Sequence, residues 1–262
     1  MSEAGPMEAA AAALKSARRV FVLTGAGVSA ESGVPTFRGD GGLWRSYRAE
    51  ELATPEAFHR NPKLVWEWYG WRQGVVGGCA PNAGHEALAR AHDRFDRFTL
   101  VTQNVDGLHQ RAGSPDVVEM HGNIWKARCA KEGVPQGAAA RAAHPAADGT
   151  ARWRTLVEFS AEGAEMPPPC TCGGILRPHI VWFGESLDEE VLSRAFAEAE
   201  EAEVLLSVGT SGLVHPAAML PRIAANTGAT VIEVNPHETP ASRLATYALR
   251  GGAAEILPRL FD

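Results

Sequence analysis

Cysteine is scarce in this chain. Four in 262 residues (Cys79, Cys129, Cys170 and Cys172) are too few for the disulfide framework of a small secreted domain, so a reducing cytoplasm is the expected setting. Long apolar runs are missing too: no stretch approaches the ~18 consecutive apolar residues of a membrane span. Positive charge is short, with 25 Lys plus Arg against 31 Asp plus Glu, a net charge of −6 and a pI near 5.9. The lysines are only Lys15, Lys63, Lys126 and Lys131. That balance excludes both the basic footprint that grips nucleic acid and the polybasic patch that holds an anionic membrane. The N-terminal segment places Glu3 and Glu8 before an alanine run and Lys15, Arg18 and Arg19 after it. A secretory signal has the opposite order, so the segment reads as a first helix.

What is present is an ordinary globular composition, 45% hydrophobic and 21% charged, in a chain long enough to bury a real core. Arg19 to Thr24 is a β-branched and aromatic run that ends at a glycine-rich turn, the pattern of a buried parallel strand. Phe98–Thr102, Val117–Met120, Val204–Val208 and Thr230–Val234 repeat the pattern, and Thr246–Leu249 makes a short sixth strand. Helical patterns run from Asn82 to His92, from Asp188 to Ala202, and from His215-Pro216 onward. The alternation predicts an α/β fold: a Rossmann-like parallel sheet with helices on both faces, built from residues 1–39, 82–124 and 179–262. Two inserts interrupt it and form a smaller module. Residues 40–81 hold Trp44, Trp66, Trp68 and Trp71, with helix starts at Thr54-Pro55 and Asn61-Pro62. Residues 125–178 hold three cysteines, an alanine-rich stretch (136–147) and Pro167-Pro168-Pro169.

Gly25, Gly27 and Ala30 follow the first strand in the G-x-G-x-x-A spacing that lets backbone N–H groups approach a pyrophosphate. A dehydrogenase would continue with a long helix, a second strand and an acidic residue about 20 positions on. Here Gly33 and Pro35 stop the helix within one or two turns, and Glu50 and Glu51 follow no strand pattern. A dinucleotide is expected, but not ordinary hydride transfer.

The stretch Gly25 to Gly39 resembles the signature of the sirtuin family of NAD-dependent protein deacylases. Four further segments follow in the family's order: Thr102 to His109, Met120-His121-Gly122, Arg177 to Glu185, and Val208-Gly209-Thr210-Ser211 followed by Val234-Asn235-Pro236. The resemblance implies NAD as cofactor, acylated-lysine proteins or peptides as partners, and a substrate cleft between the Rossmann-like domain and its insert. It also implies roles. His121 is the general base toward the nicotinamide ribose, for which an imidazole with an ordinary pKa near ~6.5 is suited. Asn104 joins it in catalysis, and Asn104 and Asp106 hold the ribose and a nearby water. Gly25, Ala26, Gly27, Ser29, Gln103, Gly209, Thr210, Ser211, Asn235 and Ala253 complete the cofactor site. Phe37 and Arg38 belong to a loop over the cofactor. Val181, Phe183 and Gly184 lie in a strand to which a peptide adds by its backbone, with Val214 on a second rail. The products implied are nicotinamide, free lysine and 2′-O-acyl-ADP-ribose.

Two features refine this reading. Tyr69 and Arg72 are three apart on one helix face, and a hydroxyl beside a guanidinium is a good receptor for a carboxylate. Together with Pro81 to His85, the Tyr-x-x-Arg pair resembles the subclass that removes succinyl and malonyl groups, with acetyl removed more weakly. The family's structural zinc sits in two Cys-x-x-Cys pairs, and here the sequence departs. Cys129 is followed three on by Glu132, and the second pair is tightened to Cys170-Thr171-Cys172. Three thiols are one short of a tetrahedral set. Either Glu132, His144 or a water completes a zinc site, or the module is metal-free and the cysteines are small buried residues. NAD-dependent mono-ADP-ribosylation of proteins and a non-catalytic NAD- or acyl-lysine-sensing module are the alternative functions.

Overall fold

In the strand Arg19–Thr24, Val20 and Val22 enter one hydrophobic cluster and Phe21 and Leu23 another, on opposite faces. A strand covered on both sides has no polar face to show, which is why it reads as a continuous apolar run. The computed structural model describes residues 5–35, 43–44, 47–131 and 156–262. Phe37, Arg38, Glu132, His144 and the alanine-rich stretch 136–147 lie outside the described residues.

The chain divides into two units. One takes the described residues of Met1–Gly41 with Cys79–His121 and Leu187–Asp262; the other takes those of Gly42–Gly78 and Gly122–Ser186. The first unit holds a six-stranded parallel sheet in the order Tyr247–Leu249, Thr230–Val234, Val204–Val208, Arg19–Thr24, Arg97–Thr102, Val118–Glu119. Read from the Val118 edge in chain order this is 3-2-1-4-5-6, the strand order of dinucleotide-binding sheets. Helices Pro6–Ser16, Ala83–Ala91 and Ala253–Phe261 cover one face through Leu14, Leu88 and Leu257. Helices Glu189–Glu201 and Leu220–Asn226 cover the other through Ala195, Ala199 and Leu220. Rossmann-like architecture is what the strand pattern predicted.

One expected helix begins later than its proline suggests. His215-Pro216 leads into a single 3-10 turn, Ala217–Met219, and the regular helix starts at Leu220 with Pro221 in its first turn. Both prolines suit a helix start, and the second one takes the first-turn position.

In the second unit, Thr54 and Asn61 cap helices Pro55–Arg60 and Pro62–Gly77 through their side-chain oxygens, as their sequence signatures predict. An antiparallel sheet orders Val157–Glu158, Gly122–Cys129 and Leu176–Ile180. The buried Gln73 amide staples the long helix to it, donating to the carbonyls of Ile124 (2.6 Å) and Phe159 (3.0 Å) and accepting from Ala161 N (2.7 Å). Pairing of 122–129 with 176–180 places both strands in this unit, whose second segment runs from Gly122 to Ser186. The insert expected over 125–178 begins three residues later and ends eight residues earlier than this segment. No helix among the described residues is long and apolar enough to cross a membrane.

Candidate active site

Strand order reverses between Arg19–Thr24 and Val204–Val208, and in open α/β sheets ligands bind beyond the carboxyl ends of the strands at such a reversal. Two turns meet there. Gly25 N donates to Val208 O at 3.0 Å, and Gly27 N donates to Gly209 O at 2.9 Å. A Cβ on Gly27 would lie 2.6 Å from the Gly209 Cα, and one on Gly209, itself at φ +60°, would lie 2.5 Å from Val28 N. The glycines are therefore required by the packing of turn on turn, which leaves this edge as bare backbone of the kind a pyrophosphate approaches.

The polar groups beneath these turns form one network. Asn104 donates its side-chain amide to Gly25 O (3.0 Å) and Ser29 Oγ (3.1 Å), while its backbone N–H reaches Thr102 Oγ1 (3.0 Å). Asn82 N–H donates to His85 Nδ1, so the His85 proton sits on Nε2 and points at Ser29 Oγ, 3.4 Å away. The Ser29 oxygen thus accepts from two sides. Thr24 donates to Thr102 Oγ1 at 2.8 Å, so His109 donates from Nε2 to Thr24 at 2.9 Å. The two imidazoles lie 4.8 Å apart by ring centroids. Burial, and for His109 also the neighbouring His85, pushes their pKa values down to about 4 for His85 and about 3 for His109. Both are neutral at pH 7. Asp106, also buried, accepts from Leu108 N at 2.9 Å and starts the short helix Leu108–Arg111.

His121 follows the strand Val118–Glu119, where Met120 N bonds Thr102 O. Its Nδ1 lies 2.9 Å from Gln103 O. A carbonyl only accepts, so the proton is on Nδ1 and the bare Nε2 is available to take another. Burial lowers the His121 pKa against the opposing backbone bond, which favours the neutral ring.

Asn235 also has a structural task. Its amide donates to Thr210 O (2.8 Å) and its Oδ1 accepts from His237 N (3.2 Å), so it ties two turns of the sheet edge together. Thr210 is buried against Ser207 (3.1 Å), whereas Ser211 is exposed. Ala253 is buried at the start of its helix, and the Glu31 carboxylate accepts from the adjoining Ala254 N at 2.9 Å. Val214 lies in an irregular segment.

In the second unit, the stretch expected as a peptide-binding strand is a turn. The strand ends at Ile180, and Trp182 to Glu185 reverses direction with Gly184 at φ +86°. Glu185 N donates to Trp182 O (2.9 Å) and Trp182 N donates back to Glu185 Oε2 (2.9 Å), closing the turn from both sides. Glycine at the left-handed position is what such a turn demands. Phe183 N donates to Ala53 O at 3.0 Å and its ring is 53% exposed. Val181 is half-buried. Tyr69 is buried on the helix Pro62–Gly77, and Arg72, one turn on, is half-buried with its guanidinium 5.3 Å from the Trp68 ring. Burial pushes the Tyr69 phenol up to about 12, with Arg72 the strongest opposing charge. The Tyr-x-x-Arg pair is thus a neutral hydroxyl beside a cation. The Pro81–His85 segment belongs to the first unit, where Asn82 caps a helix and His85 supports Ser29.

Cys129 ends a strand, and Cys170 and Cys172 sit on a tight loop closed by Cys170 N to Gly174 O (2.9 Å). Their three sulfurs lie within 4.8 Å of one another. Burial and the neighbouring thiols push Cys129 up to about 12, although the Lys131 N–H opposes it. Converging thiols this costly to ionise alone are a donor set suited to zinc, which stabilises thiolates directly.

His109 and Trp182 lie inside the family-like segments of the sequence but receive no role there, because their partners are 85 and 113 residues away.

The chain matches the Sir2 family over residues 25–216. It is 50% identical over 244 residues to the NAD-dependent protein deacylase of Aquifex aeolicus, covering 93% of this chain and 94% of that protein. It is 49% identical over 250 residues to NAD-dependent protein deacylase 2 of Pyrobaculum aerophilum, covering 95% and 92%. Among solved structures, a Sir2 homolog–NAD complex is 43% identical over 97% of this chain and 92% of that one, with a TM-score of 0.83.

Proposed function

The chain belongs to the Sir2 family, and from that footing we propose that this NAD-dependent protein deacylase favours lysines carrying acidic acyl groups, succinyl or malonyl, over acetyl-lysine. The observation that carries the reading is the buried, neutral Tyr69 hydroxyl one helical turn from the Arg72 guanidinium. A planar cation and a hydroxyl together meet both oxygens of a distal carboxylate.

NAD, when bound, supplies an electrophilic C1′ whose attack by the acyl oxygen expels nicotinamide. The residues at the sheet edge fit such a dinucleotide: bare backbone at Gly25, Gly27 and Gly209, and polar side chains of Ser29 and Asn104 directly beneath. Ser29 Oγ accepts from Asn104 and His85, so its own proton is directed outward as a donor. Asn104 holds the turn against the adjoining strand end. His121 Nε2 takes a proton from a ribose hydroxyl, with Gln103 O fixing the tautomer. Cys129, Cys170 and Cys172 would hold a structural zinc that clips the loop to the sheet. With one water consumed, the acyl group would pass to the ADP-ribose portion and the lysine amine would be freed.

Matched acetyl-, malonyl- and succinyl-lysine peptides compared by kcat/KM test the preference. Removing one partner of a desolvated charge pair costs about 2–5 kcal/mol. Arg72→Met should therefore cut kcat/KM for the acidic acyl groups by roughly 10- to 1,000-fold or more, and for acetyl-lysine far less. Equal losses on all three peptides would make Arg72 structural and end the reading.

A further inference from the structure

A phenol has one proton to donate and lone pairs to accept with. The Tyr69 oxygen accepts the indole N–H of Trp182 at 2.9 Å, in a buried setting. Among the described residues it donates to no protein acceptor. An indole can only donate, so this bond turns an oxygen lone pair toward Trp182 and leaves the phenol proton for a ligand oxygen. We propose that Trp182 is a specificity-determining positioning residue, which holds the Tyr69 hydroxyl as an obligate donor to the distal carboxylate of the acyl group. This rests on the acidic-acyl reading above and extends it to a residue outside the Tyr-x-x-Arg pair.

The indole is itself held from three directions. Its backbone N–H is fixed by Glu185 Oε2 at 2.9 Å, inside the reciprocal turn. The Arg177 guanidinium lies 3.5 Å from the ring centroid, a close cation–π stack, and Phe58 packs against the ring at 5.1 Å. Arg177 in turn clamps Glu185 with two bonds, 2.6 and 2.8 Å, and bonds Ile180 O at 3.0 Å. Against the burial that would raise it, these Arg177 bonds keep the Glu185 carboxyl below its ordinary range, so the clamp stays charged at neutral pH. An indole this constrained cannot follow a rotating phenol; the phenol must follow it. The high phenol pKa keeps the proton on the oxygen for donation.

Trp182→Phe keeps an aromatic ring for Arg177 and Phe58 but deletes the N–H. The succinyl-to-acetyl ratio of kcat/KM should fall about 5- to 10-fold, the scale of one buried hydrogen bond. In a Tyr69→Phe background the same change should move the ratio less than about twofold, since no hydroxyl remains to orient. A ratio unmoved by Trp182→Phe, or one that falls equally in both backgrounds, overturns the proposal. A readout needing no change at Trp182 guards against misfolding of that variant. The indole N–H resonance of Trp182, assigned by its shift on Tyr69→Phe, should move further with succinyl-lysine peptide than with acetyl-lysine peptide; equal movement also overturns it. Failure of the underlying reading is separable, because it shows first as a wild-type enzyme without succinyl preference.

Discussion

At the scale of single residues, the proposed base His121 has its working form set before any ligand arrives. Gln103 O occupies the Nδ1 proton and burial disfavours the imidazolium, so Nε2 is unprotonated at pH 7. His121→Ala should reduce nicotinamide release in the presence of acyl-peptide by about 10²- to 10⁴-fold while NAD affinity, measured by calorimetry, changes little. The same shift gives the sign of the pH profile. Because the pKa lies below 6.5, kcat/KM should be flat through pH 7 and fall only as pH drops below about 6.5, when the base is titrated. An acid limb with a midpoint above pH 7 would contradict the assignment.

At the scale of elements, the turns carry what the strands cannot. His121 is followed by Gly122 at φ +83°, where a Cβ would sit 2.0 Å from His179 O. Gly122→Ala must both leave the left-handed region and push a pair of bonded strands apart, so it should cost more than about 2 kcal/mol in denaturant unfolding. The cysteine loop is the second such element. Metal analysis of purified protein should give near one zinc per chain, lost on Cys129→Ser or Cys172→Ser; folded, active protein without metal would remove the site. Strands, helix caps and the glycine turn were legible in the sequence because each is dictated within a few residues: apolar runs such as Val204–Val208, Thr54 and Asn61 before proline, Gly25 and Gly27 after a strand. The segment Val181 to Glu185 misleads because its apolar composition is that of an edge strand. The conformation is decided by Gly184 and by a carboxylate that bonds back to Trp182 N. Nothing local announces that Trp182 answers Tyr69, since that bond exists only once the fold has joined a helix to a distant turn.

At the scale of the whole molecule, the same buried imidazoles that organise Ser29 and Thr24 set how stability depends on pH. His85 and His109 are neutral when folded, with pKa values near 4 and 3, and ordinary, near ~6.5, once unfolded. Both folded values are depressed, so protons bind the unfolded chain first. Their stabilising contribution is complete above pH 6.5 and is lost as pH falls from there toward 4 for His85 and 3 for His109. Each histidine then contributes about 1.4 kcal/mol per pH unit, and the two together on the order of 3 kcal/mol per pH unit between about pH 6 and 5. Carboxylates held below their ordinary range, such as Glu185, titrate lower and add little slope there. Denaturant unfolding at pH 7.5, 6 and 5 measures the slope. His109→Leu removes one of the two titrating rings at a site where Nδ1 is buried with no hydrogen-bond partner among the described residues, at the loss of one bond to Thr24. The variant should lose roughly half the pH slope while costing only about 1 kcal/mol at pH 7.5, and so approach or exceed wild-type stability at pH 5. If its slope between pH 6 and 5 equals that of the wild type, the buried imidazoles are not what the unfolding equilibrium titrates.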